Sequence, residues 1–267
     1  MTSSLDFDHQ PAASGDPEFE TSNPPRCQAA SWQRAEVLDV IDEATDAVTL
    51  RLRLESSVSF LPGQYYNIRL SVPGRTGPIQ RAYSIASSPV PDPSIIDIGV
   101  CEVPGGLVSP RLVRDLSPGE RLEVRGPVGR FTWTAENGGP VLLVGAGSGV
   151  VPLMSIIRYG VAMNLDTPMR LVCSFTNFEH AFYYAELNDL ADRHPWLEIV
   201  FSFTRDPTDS RVTHHRRIDA AMVAEALVRQ HPQRVYICGP PAMVDDVREW
   251  LGELGIDHTR IRTEKYD

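Results

Sequence analysis

Residues 141–158, VLLVGAGSGVVPLMSIIR, limit what this chain can fold into more than any other stretch. An apolar run at 141–144 leads into three glycines at alternate positions, Gly145, Gly147 and Gly149. Pro152 follows, then Leu153, Ile156 and Ile157 at helical spacing. The pattern predicts a buried strand, a tight turn and a helix start. Pro152 suits a first helical turn, where its missing N–H is not needed. Glycines let the backbone approach a ligand closely. A helix N-terminus adds free N–H groups and a partial positive charge, a combination that suits a pyrophosphate. The spacing is not G-x-G-x-x-G, and the next predicted strand, about 20 residues on, ends in SFTN at 174–177 with no carboxylate for a ribose. Either the site is a dinucleotide site of another type, or the glycines serve the turn alone.

The rest of the chain changes rhythm at this point. Downstream, apolar strands at 141–144, 169–174, 197–203 and 234–238 alternate with helical patterns at 152–162, 183–192, 219–229 and 242–254. That alternation predicts a doubly wound parallel sheet. Upstream, residues 47–54, AVTLRLRL, alternate apolar and polar as a half-buried strand does. Further strands are expected at 35–41, 64–72, 79–87, 95–102 and 121–125, separated by Pro/Gly turns, with one short helix near 107–115. Short strands between such turns predict a small antiparallel barrel. The fold class is therefore β plus α/β. A β-barrel domain occupies 31–135 and a nucleotide-binding α/β domain 140–267, with ENGG at 136–139 as the linker. Residues 1–30, rich in Ser, Pro and Asp, are expected to be a disordered tail.

Composition narrows the function classes. A net charge of −10 argues against nucleic acid as a partner. No apolar run reaches the roughly 18 residues a membrane span needs, and the N-terminus lacks the basic and apolar regions of a secretory signal. The four cysteines, Cys27, Cys101, Cys173 and Cys238, show neither C-x-x-C nor plant-type iron–sulfur spacing. No metal site is expected, and the compartment reads as reducing and cytoplasmic. Taken alone, each cysteine is a small buried hydrophobe.

Chemistry concentrates elsewhere. Arg81, Tyr83 and Ser84 lie on one predicted barrel strand, where Arg81 and Tyr83 share a face and Ser84 takes the other unless the strand twists at its end. An arginine beside a tyrosine can clamp a phosphate and a flat ring; it can equally be a surface pair. RAYSIASSP, preceded by Pro62-Gly63-Gln64-Tyr65, resembles the flavin-binding strand of the ferredoxin–NADP+ reductase superfamily. Four further signatures resemble the same family in the same order. They are GGLVS at 105–109, GPVGRF at 126–131, GAGSGVVP at 145–152 and CGPPAM at 238–243. The resemblance runs from about residue 30 to the end; any one motif is weak, and five in register are strong.

The resemblance implies a role for each residue. Arg81 pairs with the flavin pyrophosphate, Tyr83 lies along the flavin, and Ser84 sets its hydroxyl near flavin N5. The N–H groups of Gly106, Leu107 and Val108, with Ser109 Oγ, cap a helix and hold an FAD phosphate. Gly145, Gly147, Gly149 and Pro152 shape the nicotinamide-dinucleotide turn, with Gly239, Pro240 and Met243 in the second turn. Cys238 stands near the nicotinamide C4. Glu264 and Tyr266 resemble the family's Glu-x-aromatic ending, in which the aromatic covers a flavin face and the carboxylate sits near the reactive edge; here Asp267 lies one residue beyond.

The implied activity is that of an FAD-dependent NAD(P)H oxidoreductase of the ferredoxin reductase type. It splits a two-electron hydride into single electrons for a separate acceptor, such as ferredoxin, flavodoxin or an oxygenase component. The alternative is an FAD-bearing subunit active only within a larger redox complex. For a 2′-phosphate, Thr204-Arg205-Asp206 and Arg216-Arg217-Ile218 resemble places where NADPH-using relatives put their arginines, with Arg211 a third candidate. The strand end SFTN lacks the arginine many of those relatives carry, and the arginines at 205–217 can equally form a solvated basic loop, so NADPH is favoured only slightly over NADH. Arg111, Arg114, Arg125 and Arg130 gather positive charge in the barrel half, which could dock an acidic redox carrier. The sequence leaves the oligomeric state open.

Overall fold

The alternating segments of the first half pair into one antiparallel sheet. The computed structural model describes residues 31–72, 74–229 and 231–266; the expected N-terminal tail, Cys27 and Asp267 lie outside the described residues. Six strands, β1 (Gln33–Ala44), β2 (Ala47–Leu54), β3 (Tyr65–Leu70), β4 (Ile79–Ser84), β5 (Ile95–Cys101) and β6 (Arg121–Val128), run in the order β4-β3-β6-β1-β2-β5. An antiparallel bridge between Ile85 and Ile98 joins the two ends, so the sheet closes into a barrel. Val37, Leu50, Leu52, Ile68, Ile98 and Val124 fill its interior, all fully buried. A helix of six residues, α1 (Ser109–Arg114), covers one end with Leu112 inward.

Most strand limits differ from the sequence expectation by a few residues, and two of the differences bear on the cleft. β4 stops at Ser84, not at 87, because Ile85 and Ala86 turn their N–H groups to the carbonyls of Gln64 and Asp97. β6 continues through Gly126 to Val128, where it pairs with Tyr65.

The second half forms a five-stranded parallel sheet, β7 (Val141–Ala146), β8 (Met169–Phe175), β9 (Leu197–Phe203), β10 (Arg234–Gly239) and β11 (Ile261–Lys265), in the order β11-β10-β7-β8-β9. Helices α2 (Val150–Ala162), α3 (Tyr184–Arg193), α4 (Ala220–Arg229) and α5 (Pro241–Glu253) are the crossovers. β8 is buried along its whole length, which is why it reads as one apolar run. β11 goes beyond the four strands expected here: only Ile261 of IRTEK is buried, as suits an edge strand. The chain leaves β7 toward β8 and β9, then returns to add β10 and β11 on the other side. Ligands bind outside the carboxyl ends of the strands at such a switch point, and β7 and β10 end there.

The two lobes share apolar core. Phe131 and Trp133, from the barrel side, are buried in the same cluster as Val150, Leu153 and Met154 of α2. Tyr236 of β10 packs edge-on against Phe131 at 5.3 Å and donates its hydroxyl to Thr132 O at 2.8 Å. Losing a buried Trp to Ala costs roughly 3–5 kcal/mol, so Trp133 alone ties the lobes substantially.

Candidate active site

A cleft lies between the barrel and the carboxyl edge of the parallel sheet, a cavity of about 610 Å³. One wall is the end of β4: Arg81, Ala82, Tyr83 and Ser84. All four line the cavity, and β4 stays paired with β3 through its last residue, Ser84 opposite Tyr65. A second wall is the turn Gly106, Leu107 and Val108 with Ser109. The floor is Cys238, Glu264, Lys265 and Tyr266, with Ser148 of the glycine turn and Val151 of α2. Ten of the residues singled out in the sequence thus meet in one cavity, drawn from well-separated stretches of chain.

The β4 wall offers a cation and a ring. Arg81 is exposed and hydrogen-bonds only the carbonyl of Gln80, at 2.8 Å, leaving its charge without a carboxylate among the described residues. Burial pushes the Tyr83 phenol up to about 12, so it stays neutral.

The second wall departs from expectation in one respect. Ser109 Oγ does not cap α1; it accepts the N–H of Val103 at 2.9 Å, and the cap position, Val108, makes no side-chain bond. Gly106 N–H is likewise taken, by Val103 O at 2.8 Å. These two bonds fold the turn between β5 and α1, whose residues 106–109 line the cleft.

The floor is set by strand register. Cys238 on β10 lies level with Gly145 on β7 and with Glu264 on β11. Gly147 has φ +53, and a Cβ there would stand 3.2 Å from the Tyr266 hydroxyl. A Cβ at Gly149 would fall 2.1 Å from Cys238 O. The alternate glycines therefore let the turn approach both β10 and the terminal tyrosine. Gly145 is closed in by Leu153 and Val150, and Pro152 is buried in the first turn of α2. Gly239 and Met243 touch one another at the β10–α5 junction, beside exposed Pro240, outside the cavity wall.

Titration at the floor is strongly perturbed. Cys238 is 3% exposed; burial, then the charge of Glu264, hold its thiol well above the ordinary range and hence protonated. Glu264 Oε2 is buried without a hydrogen-bond partner, and burial raises the carboxyl from 4.5 to about 7. Tyr266 donates its hydroxyl to Ala146 O, lies across the glycine turn, and is pushed by burial up to about 12.

The arginines sort themselves by partner. Arg211 is held by Asp209, with Nε at 2.8 Å and Nη2 at 2.5 Å, and stacks 3.5 Å over the Phe178 ring. Arg216 binds Asp219 at 2.5 Å. Arg205 and Arg217 are exposed and have no acidic partner among the described residues, and Thr204 pairs its N–H with Phe175 O. Arg205 stands three residues past Ser202, and Arg217 three past His214, the pair that forms a parallel bridge. On the barrel, the basic patch is smaller than the sequence implied. Arg114 is tied to Glu102 by two 2.6 Å bonds, Arg111 to Ser71 O, and Arg125 lies over Trp32. Arg130 remains exposed.

Sequence reasoning gave no role to Tyr65, Ser148 and Val151, which stand within its motifs, and missed Gly99, Cys101 and Val103 as cavity residues. Cys101 ends β5 beside the site, but a lone cysteine carries no motif; burial raises it to about 12.

Two family models match in tandem, an oxidoreductase FAD-binding domain over residues 34–133 and an oxidoreductase NAD-binding domain over residues 143–249. Ferredoxin–NADP reductase B of Sorangium cellulosum is 33% identical over 213 residues, covering 78% of this chain and 86% of that relative. The ferredoxin–NAD(P)+ reductase component of the naphthalene 1,2-dioxygenase/salicylate 5-hydroxylase systems of a Ralstonia species is 30% identical over 231 residues, covering 85% of this chain but 66% of its own. The chain thus spans about two thirds of that relative's length. A solved structure of the ferredoxin reductase in carbazole 1,9a-dioxygenase superimposes with a TM-score of 0.74 at 29% identity, covering 89% of this chain and 70% of that one. With a cleft between a flavin-type barrel and a dinucleotide-type sheet, this chain belongs to the ferredoxin–NAD(P)+ reductase family of FAD- and NAD(P)-binding oxidoreductases.

Proposed function

We propose that this protein draws electrons from a nicotinamide coenzyme, NADPH in preference to NADH, and passes them through FAD to a separate one-electron acceptor protein such as a ferredoxin, a flavodoxin or an oxygenase component. The observation that carries the reading is the single cavity joining the Arg81–Ser84 wall to Cys238, Glu264 and Tyr266. Its residues fit both groups: an uncompensated guanidinium and a helix turn for phosphates, a neutral phenol for a flat ring, and glycines where a dinucleotide must come close. Bound FAD supplies the conversion from paired to single electron transfer.

The side chains align and shield. Arg81 and the 106–109 turn hold the flavin's phosphates. Tyr83 fixes the ring plane, and the Ser84 hydroxyl addresses its reactive edge. The neutral Cys238 thiol gives the nicotinamide an uncharged, close-packed seat; it is not a nucleophile, because burial keeps it protonated. Glu264, raised to about 7, can hold a proton on Oε2 at neutral pH and release it as the site changes charge. Tyr266 lines the cavity with its hydroxyl on Ala146 O; there it would cover a flavin face, as the family resemblance implies, and an entering nicotinamide would displace it. Arg205 and Arg217, both without carboxylate partners among the described residues, favour a 2′-phosphate. Exposed Arg130 leaves positive charge for an acidic carrier. Free thiols at Cys101, Cys173 and Cys238, together with the absence of any described helix long and apolar enough to cross a membrane, go with a cytoplasmic location.

The test is steady-state turnover of the FAD-loaded protein with ferricyanide or cytochrome c as acceptor, with each coenzyme. The Arg205→Ala/Arg217→Ala double variant should lose roughly tenfold or more in kcat/KM for NADPH, as two charge-assisted contacts to a phosphate imply, and change little with NADH. Equal losses with both coenzymes would remove the coenzyme assignment. A flavin that is reduced but delivers electrons to no acceptor would favour a subunit working only inside a larger complex.

A further inference from the structure

Helix α2 carries the glycine turn at its N-terminus, and two turns further on it grips the barrel. Ser155 Oγ donates to Ser87 O at 2.7 Å, and Arg158 Nη1 donates to Ala86 O at 3.2 Å. Ala86 and Ser87 are the second and third residues past Ser84, so α2 holds the chain immediately beyond the end of β4. The grip extends to β5. Ala86 N–H donates to Asp97 O at 2.7 Å, and Asp97 N–H donates to Ser87 Oγ at 3.0 Å. The Asp97 carboxylate, 9% exposed, accepts two bonds from Arg51 at 2.9 and 3.0 Å and lies 3.6 Å from Arg158.

Arg158 is itself fixed from the α/β side. It binds Glu186 of α3 at 2.9 and 2.6 Å, and its guanidinium lies 5.1 Å from the centre of the buried Tyr183 ring. Tyr183 takes a left-handed φ of 56°, which places its hydroxyl 3.1 Å from Thr49 Oγ1 on β2. A non-glycine residue persists in that region only where its surroundings over-determine it. The apolar cluster around Phe131 and Trp133 already joins the lobes. What Ser155 and Arg158 add is directional: polar bonds from the helix behind one cofactor turn to the residues behind the other cofactor's strand.

We propose that Arg158 is a positioning residue for hydride transfer, setting the distance and angle between the Ser84 end of β4 and the 145–149 turn, and hence between the two rings. The proposal rests on the reading of the cleft as a flavin–nicotinamide site. Reaction between two held groups depends steeply on alignment, and a misplacement of about 1 Å can cost on the order of a hundredfold. Arg158 reaches neither ring; it acts through Ala86 and Asp97.

The test is anaerobic stopped-flow reduction of the FAD-loaded Arg158→Met protein. The variant keeps Asp97 paired with Arg51, and Glu186, 40% exposed, returns to water. It should retain FAD as the wild type does and be reduced normally by dithionite. Its limiting rate with NADPH should fall tenfold to a hundredfold, with the coenzyme's apparent Kd changed less than about threefold. The long-wavelength charge-transfer absorbance of the nicotinamide–flavin pair should weaken, and Arg158→Lys should recover part of both. A wild-type limiting rate and an unchanged charge-transfer band in Arg158→Met would overturn the proposal. Should Arg158→Met not fold, Ser155→Ala, which removes only the bond to Ser87 O, decides. A several-fold slower limiting rate supports the proposal, and an unchanged rate overturns it. A wild-type flavin that neither coenzyme reduces would instead overturn the reading of the cleft, and the positioning role with it.

Discussion

Replacing Glu264 with glutamine should cost stability at acid pH and not at alkaline pH. The carboxyl titrates at about 7 in the folded chain against an ordinary 4.5, and burial is the cause. Between those values the folded chain binds a proton that the unfolded chain has released, so stability falls as pH rises from 4.5 through 7. At about 1.4 kcal/mol per tenfold, the interval is worth about 3 kcal/mol. Water reaching the cleft reduces it, so about 2 kcal/mol is expected. Above pH ~8 the wild type carries the full penalty of an ionised Glu264 with Oε2 buried and unpartnered. The substituted glutamine is neutral throughout, and its amide inherits the same unpartnered pocket at about 1 kcal/mol or more. Denaturant unfolding of both proteins with saturating FAD, from about pH 5 to about pH 8.5, should give curves that diverge. The variant should be about 1 kcal/mol less stable at the acid end and at least as stable as the wild type at the alkaline end. At roughly 2–4 °C of Tm per kcal/mol for a chain of this size, the relative shift is readable. Parallel curves across the range would refute the assignment of a raised carboxyl.

Other perturbations read separate parts of the cleft. Arg81→Ala removes the one uncompensated cation of the flavin wall and should weaken FAD retention roughly tenfold to a hundredfold, from the 1.5–3 kcal/mol of a charged hydrogen bond; flavin content after gel filtration checks it. Gly149→Ala puts a Cβ 2.1 Å from Cys238 O. The resulting shift of α2 against β10 should cost about 2–3 kcal/mol and slow reduction by coenzyme while FAD stays bound, measured by unfolding and stopped flow. Cys238→Ala leaves the fold and the flavin in place but loosens the nicotinamide's seat. Its limiting rate of flavin reduction should fall roughly tenfold, and an unaltered rate would return Cys238 to a packing role.

Much of the architecture is legible in the sequence because burial writes it there. β7, β8 and β10 lie in the sheet interior and are nearly continuous apolar runs, while β2 alternates because one of its faces turns outward. β11 is not legible because an edge strand with one buried residue, Ile261, carries no period. Serine before a helix reads as a cap, yet Ser109 Oγ serves Val103 across the turn, a contact that propensity does not encode. The basic patch reads larger in sequence than in the fold for a similar reason: Glu102, which neutralises Arg114, lies twelve residues away and meets it only once the chain has folded. The motifs pick out the walls of the cavity, since the glycines and the β4 signature are local in sequence. The seam of Arg158, Asp97 and Glu186 is assembled from three distant elements, and no spacing announces it.

The most direct test of the central claim is anaerobic reduction of the FAD-loaded protein, followed at the visible flavin absorbance, with NADPH and NADH titrated separately. The account predicts rapid, stoichiometric bleaching by NADPH, slower or weaker-binding reduction by NADH, and reoxidation by one-electron acceptors. A bound flavin that neither coenzyme bleaches would contradict it.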